Sequence, residues 1–183
     1  MSLSVFGFPQ YNPCVDFHSK FFYNEKVTLY KKGVAALTAD VQTPVKIHLR
    51  TKIHLDGEEE TFEMILFGNY YRKNNAVFLK YDEVQEEGTV HTLVKINEEE
   101  ATIFRKGIID MRMKFRLNEQ RDGSHASEYG SLLLSTDTNK LAHHEYDDKC
   151  EGSINLGYDL YMQGTHAGRY DMEIQYREEI GNL

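Results

Sequence analysis

The residue in this chain with the most to explain is an arginine whose strand face is not settled by its neighbours. Ala101, Ile103 and Arg105 alternate with Thr102, Phe104 and Lys106. If the first set faces an apolar interior, a guanidinium enters it, and such a charge is costly to bury unless something meets it. A ligand carboxylate is one partner that a cavity arginine holds well. An internal acid would satisfy Arg105 equally, and if Thr102, Phe104 and Lys106 face inward instead, Arg105 is simply solvated. Tyr81, Tyr129 and Tyr158 are the other candidates for ligand contact, since their hydroxyls could reach the same cavity. Core tyrosines with satisfied hydroxyls are the commoner case.

Other constellations carry less. His143-His144 followed by Asp147, Asp148 and Cys150 is the nearest approach to a metal cluster, but adjacent side chains on a strand point to opposite faces. The acidic run reads better as solvated surface, and no metal ligand set is assigned. Asp82, Glu83, Glu86 and Glu87 supply carboxylates, which do acid/base work only at a defined separation in a cleft. Around Ser127 and Ser131 there is no Gly-x-Ser-x-Gly elbow, and no glycine motif that cradles phosphates precedes a helix. The expectation is a non-enzyme with no cofactor and no catalytic residues.

The elements that must position these residues are strands. Val45, Ile47, Leu49, Ile53 and Leu55 alternate with Lys46, His48, Arg50, Lys52 and His54, giving one dry and one wet face. Asp56-Gly57 and Asn74-Asn75 are turn signals. Between them Phe62, Met64 and Leu66 alternate up to Gly68, where a bulge or bend is expected. The pattern repeats through Val77 to Tyr81, Val90 to Ile96, Ala101 to Arg105, Ile109 to Leu117, Leu132 to Leu134, Ile154 to Met162 and Tyr170 to Tyr176. Gln120 to Ser127 reads as a longer loop, and Lys140 to Gly152 as charged and irregular.

Eight or nine strands with short turns and no amphipathic helix predict an all-β, antiparallel up-and-down barrel, since closure removes exposed edges. A two-sheet sandwich is the alternative. The barrel domain is expected over residues 45–178, with an N-terminal segment 1–44 and a tail 179–183.

The 183 residues suit one domain, and 22 Tyr and Phe against three Pro and no Trp lean towards sheet. A net charge of −8 disfavours a nucleic-acid binder, which needs clustered cations. No apolar run reaches the length of a membrane-spanning helix. Two cysteines, Cys14 and Cys150, read as free thiols in a reducing compartment, and with no convincing signal peptide the expected location is cytoplasmic. The first forty residues hold eight aromatics without alternation. Either they form an arm that packs on the barrel or a partner, or they are upstream translation. Lys31-Lys32-Gly33-Val34 can be encoded by a ribosome-binding sequence, and Leu37 by an alternative start codon.

The segment from Val45 to Tyr176 resembles the YwiB-like family of small bacterial proteins. The resemblance rests on Tyr70-Tyr71-Arg72-Lys73 with Val77 to Glu83, on Ile103-Phe104-Arg105-Lys106-Gly107, on Tyr129-Gly130-Ser131-Leu132, and on Ile154-Asn155-Leu156-Gly157-Tyr158-Asp159-Leu160. It implies a calycin-type, lipocalin-like barrel and carries over no activity. With no Trp, the chain lacks the Gly-x-Trp signature of true lipocalins. The functional expectation is a small amphipathic ligand held inside the barrel at Arg105, Tyr81, Tyr129 and Tyr158. A barrel filled by its own side chains, serving as a structural or interaction module, is the alternative, and homo-oligomerisation is left open.

Overall fold

The period-2 segments become ten strands in a computed structural model, which describes residues 42–127, 130–146 and 150–179. They are β1 (Thr43–Leu55), β2 (Glu58–Lys73), β3 (Ala76–Gln85), β4 (Gly88–Ile96), β5 (Glu100–Gly107), β6 (Asp110–Arg116), β7 (Gln120–Ser127), β8 (Gly130–Glu145), β9 (Gly152–Met162) and β10 (Thr165–Glu178). Each pairs antiparallel with its neighbour in sequence, and β1 also pairs with β10, closing the ring. This is a barrel and not a sandwich. Asp56-Gly57, Asn74-Asn75 and Gln163-Gly164 all have positive φ at both positions, the turn whose twist matches the strands it joins.

Burial follows the alternation. Val45, Ile47 and Leu49 on β1, Met111, Met113 and Phe115 on β6, and Met172 and Ile174 on β10 are buried. Lys46, Arg50, Lys114, Arg116 and Glu173 are only partly covered on the outer face, and Arg177 is exposed. Charges at mid-strand on the outside and apolar side chains within are the reverse of a barrel that crosses a bilayer. No helix among the described residues is long and apolar enough to span one.

The sequence reading needs three corrections. Gln120–Ser127 is a strand, not a loop. Its side chains are small and polar, so no apolar alternation marks it; Gly123 lets it lie so close to β6 that a Cβ would come 2.3 Å from the Arg112 carbonyl. Lys140 to Glu145 continues β8, which adds to the strand content of the charged stretch. Gly68 makes no bulge: the β1 register runs through it without a shift, and the β3 register begins at it.

Gly68 has a different role. It is the first residue of β2 that pairs with β3, opposite Tyr81. A Cβ there would sit 2.3 Å from the Lys80 carbonyl oxygen and 2.9 Å from the Tyr81 Cβ. Before it, residues 58–67 pair with β1 alone among the described residues. Met64, on the inward register, is for that reason only half-buried. Gly68→Ala is expected to lower stability by about 2 kcal/mol or more, because backbone must move to admit the methyl group. Urea unfolding would show a lower midpoint at an unchanged slope; an unchanged midpoint would mean that the strands do not pack as closely as described.

Candidate functional site

Arg105 does face the interior. It lies on β5 with Ala101 and Ile103, and only 6% of it is exposed. Its guanidinium donates to Glu83 Oε2 at 2.6 Å, and Thr92 donates to Glu83 Oε1 at 2.7 Å. The register brings the three together: Thr92 on β4 is opposite Arg105 on β5, and Glu83 on β3 is opposite Val90. The buried charge is therefore met by an internal acid, so an acidic ligand head would have to displace Glu83.

Tyr81 and Tyr158 are also buried in the core. Tyr158 packs on Phe115 at 4.8 Å between centroids and stacks on Tyr170 at 5.2 Å. Burial raises the pKa of all three phenols, that of Tyr81 further through the Glu83 carboxylate, and that of Tyr170 to about 12. They stay protonated as interior filling. Tyr129, Asp147, Asp148 and Cys14 lie outside the described residues. Cys150 is half-buried, its thiol 3.6 Å from Thr43 Oγ1. His143 and His144 do not join a cluster of three metal-ligating side chains among the described residues.

A second polar network was not anticipated from the sequence. It occupies the end of the barrel formed by the β2–β3, β4–β5 and β8–β9 turns. The register of β8 on β9 shifts between Thr138 and Lys140. Before this bulge Leu134, Thr136 and Thr138 face inward; after it the phase reverses, and Leu141, His143 and Glu145 take the inward register opposite Leu156, Ile154 and Gly152. An extra residue in one strand re-aims everything beyond it.

The re-aimed side chains meet β2 and β10. Tyr70 donates to Glu145 Oε1 at 2.8 Å, and Arg72 donates to Oε2. Tyr70 stacks on Tyr176 at 5.6 Å, and the Tyr176 hydroxyl lies 2.9 Å from His143 Nε2. Burial alone would raise the Glu145 carboxyl, but the Arg72 and Tyr70 hydrogen bonds prevail and hold it below its ordinary value. Burial lowers the His143 imidazole and raises the Tyr176 phenol, so both are neutral at pH 7. Of the two, phenol is the better donor and imidazole nitrogen the better acceptor. The O–H therefore donates to Nε2, and the ring proton sits on Nδ1.

These residues line a half-open, mostly polar pocket of about 450 Å³ at the barrel mouth, to which Leu141 and Ala142 add partly exposed apolar side chains. Asn97 is on its rim, with its side-chain oxygen accepting the backbone N–H groups of Glu99 at 3.0 Å and Glu100 at 2.8 Å. Both Glu145 oxygens, the Asn97 oxygen and His143 Nε2 are thus engaged within the protein. The pocket offers as donors the remaining N–H groups of Arg72, the Asn97 amide and His143 Nδ1–H, and Asn75 and Glu98 also line it.

The chain matches the model of a family described as a domain of unknown function (DUF1934) over residues 47–174. It is 30% identical over 135 residues to the uncharacterized beta-barrel protein YwiB of Bacillus subtilis strain 168, covering 74% of this chain and 94% of that one. The crystal structure of the Bacillus subtilis ywiB protein superposes with a TM-score of 0.68 over 76% of this chain and 94% of the other. This chain belongs to the DUF1934 family. The sequence resemblance to YwiB-like proteins and the closed antiparallel barrel both stand, and the family brings a fold without bringing a reaction.

Two measurements bear on the networks. Arg105→Met alone leaves Glu83 charged and buried, and should cost about 3–5 kcal/mol; Arg105→Met with Glu83→Leu should recover most of it. If the double variant unfolds no later than the single one, the pair is not the internal neutralisation described. For the mouth, the His143 imidazole should titrate below its ordinary 6.5 when followed by NMR. A folded-state pKa below the unfolded one means that the unfolded chain takes up the proton first. Stability should therefore fall as pH drops below about 6.5, and His143→Gln should flatten that part of the curve. A midpoint at or above 6.5 would contradict the buried, neutral ring.

Proposed function

We propose that this DUF1934 barrel is a binding protein for a small amphipathic molecule, held at the mouth and not deep in the interior. The observation that carries this reading is the group of hydrogen-bond donors that Arg72, Asn97 and His143 bring to one pocket. Donors on Arg72, Asn97 and His143 remain beside acceptors of Glu145 and Asn97 that are engaged internally, so these three residues would meet acceptor oxygens of a ligand. The Arg72–Glu145 pair is neutral as a unit, and the pocket also carries Glu98. A multiply charged anion is disfavoured there, and a carbonyl-rich or singly charged carboxylate head is favoured. A small apolar portion would lie on Leu141 and Ala142. Barrel mouths are a common place for small-molecule sites.

The interior gives less support for a ligand, because Glu83 already answers Arg105 and the tyrosines fill the space around it. The test separates the two locations. Gently purified protein examined by native mass spectrometry should carry a retained small molecule. Arg72→Met should weaken its retention by the roughly 1.5–3 kcal/mol of a charge-assisted hydrogen bond, that is about 10- to 100-fold. The Arg105→Met, Glu83→Leu double variant should retain it. Loss in the interior variant with retention in Arg72→Met would place the ligand inside the barrel and overturn the mouth assignment.

A further inference from the structure

Away from the mouth, a groove of about 470 Å³ lies on the outer wall, where β9, β10, β1 and β2 run side by side. Its floor follows one row of the register. Ser153 on β9 is opposite Gln175 on β10, Gln175 is opposite His48 on β1, and His48 is opposite Ile65 on β2. Tyr146 walls one end of the row. Just beyond β8, its backbone N–H donates to the Glu151 carbonyl at 2.9 Å, and its hydroxyl lies 3.4 Å from Ser153 Oγ. Ser153, beneath this contact, is buried although it faces outward, while Tyr146 itself stays 54% exposed. At the other end Ile65 is 60% exposed. A polar floor thus runs between two apolar surfaces. The row crosses three inter-strand gaps, about 14 Å at the usual spacing, which is room for a bicyclic ring. The groove shares no described residue with the mouth pocket.

The charges of the groove define its ligand. One row nearer the mouth, Lys46 and Arg177 lie directly opposite each other, and both line the groove. Neither makes an ion pair or a side-chain hydrogen bond among the described residues. Like charges so placed, with Cβ atoms about 5 Å apart, repel. Two carboxylates line the groove as well. Glu173 accepts from Gln175 Nε2 at 2.9 Å and lies opposite Arg50, so it is answered on its own ladder. Glu151 is exposed and has no ion pair among the described residues. His48 faces Glu63 at 3.8 Å. Two unanswered cations against one unanswered carboxylate leave a single positive charge. We infer that this groove is a second binding site, for a flat aromatic molecule that carries one carboxylate. The carboxylate would sit between Lys46 and Arg177 and relieve their repulsion, with the guanidinium fork suited to both of its oxygens. The ring would lie along the row between Tyr146 and Ile65. A multiply charged anion would meet Glu151, and a cation would meet Lys46 and Arg177.

Full-length protein titrated with 2-naphthoate and followed by residue-resolved amide NMR tests this. Acetate and the neutral 2-naphthylmethanol are the controls. The 2-naphthoate shifts should saturate and centre on residues 46–48, 151–153 and 173–177, with an affinity about tenfold or more above either control. Added salt should weaken it. Lys46→Gln and Arg177→Gln should each lower the affinity by a similar factor. Each should also leave the unfolding midpoint unchanged or raised, because one of two repelling charges has gone. Tyr146→Leu should weaken 2-naphthoate and leave acetate unchanged. Arg72→Met, in the mouth, should leave the shifts in the groove as they are, which separates the two sites. Shifts at Arg72, Asn97 and His143 without shifts in the groove would overturn the inference. So would equal affinity for either control, or full affinity in the Lys46→Gln, Arg177→Gln double variant.

Discussion

Strand β1 must hold two registers at once. Along one side Ile47, Leu49, Thr51 and Ile53 lie opposite Leu66, Met64, Phe62 and Glu60 of β2; along the other they lie opposite Tyr176, Ile174, Met172 and Tyr170 of β10. A slip of one residue against either neighbour would turn its buried set outward and drive Lys46, His48, Arg50, Lys52 and His54 into the core. Ion pairs on the outer face run along the β1–β2 register, His48 and Arg50 with Glu63, and Lys52 and His54 with Glu59. Exposed pairs of this kind add little stability, but a shifted register would misalign all of them. The closed ring, and with it the common interior that every other strand shares, depends on this doubly constrained strand.

The interior itself is polar at one level and aromatic at another. Glu83 accepts from both Thr92 and Arg105, a hydrogen-bonded set drawn from three consecutive strands, while Phe115, Tyr158 and Tyr170 pack on one another from the far side of the ring order. A buried pair of this type is weak evidence of stabilisation compared with an apolar replacement, yet removing one partner is severe. It favours one pairing of β3, β4 and β5 over others, since only the observed registers bring the acid, the hydroxyl and the guanidinium together.

Much of the fold can be read from side-chain alternation because most strands have one wet and one dry face. The turns at Asp56-Gly57 and Asn74-Asn75 announce themselves through residues that tolerate positive φ. The strand β7 does not, since Gln120 to Ser127 owes its conformation to backbone pairing and to the close approach at Gly123. The site divides the same way. Ile103 and Arg105 share a face, which places the guanidinium inside, but nothing local identifies Glu83, twenty-two residues away, as its partner. The mouth was hidden for a sharper reason: period-2 counting from Leu134 predicts Lys140, Ala142 and His144 inward. The bulge before Lys140 reverses that parity, and a bulge at an asparagine leaves no distinctive mark in composition.

That parity switch has a consequence for how such a barrel can diversify. In most of the wall a one-residue insertion or deletion is ruinous, because it exchanges wet and dry faces along a strand held between two ladders. At Asn139 the extra residue is already absorbed. Losing it would leave an unbroken ladder from Thr138 opposite Tyr158 through Lys140 opposite Gly157 to Leu141 opposite Leu156, so Leu141, His143 and Glu145 would still face the mouth. The bulge is thus a point where the strand can gain or lose one residue without exchanging its faces, and relatives of this fold could differ in length there while presenting the same positions to the mouth.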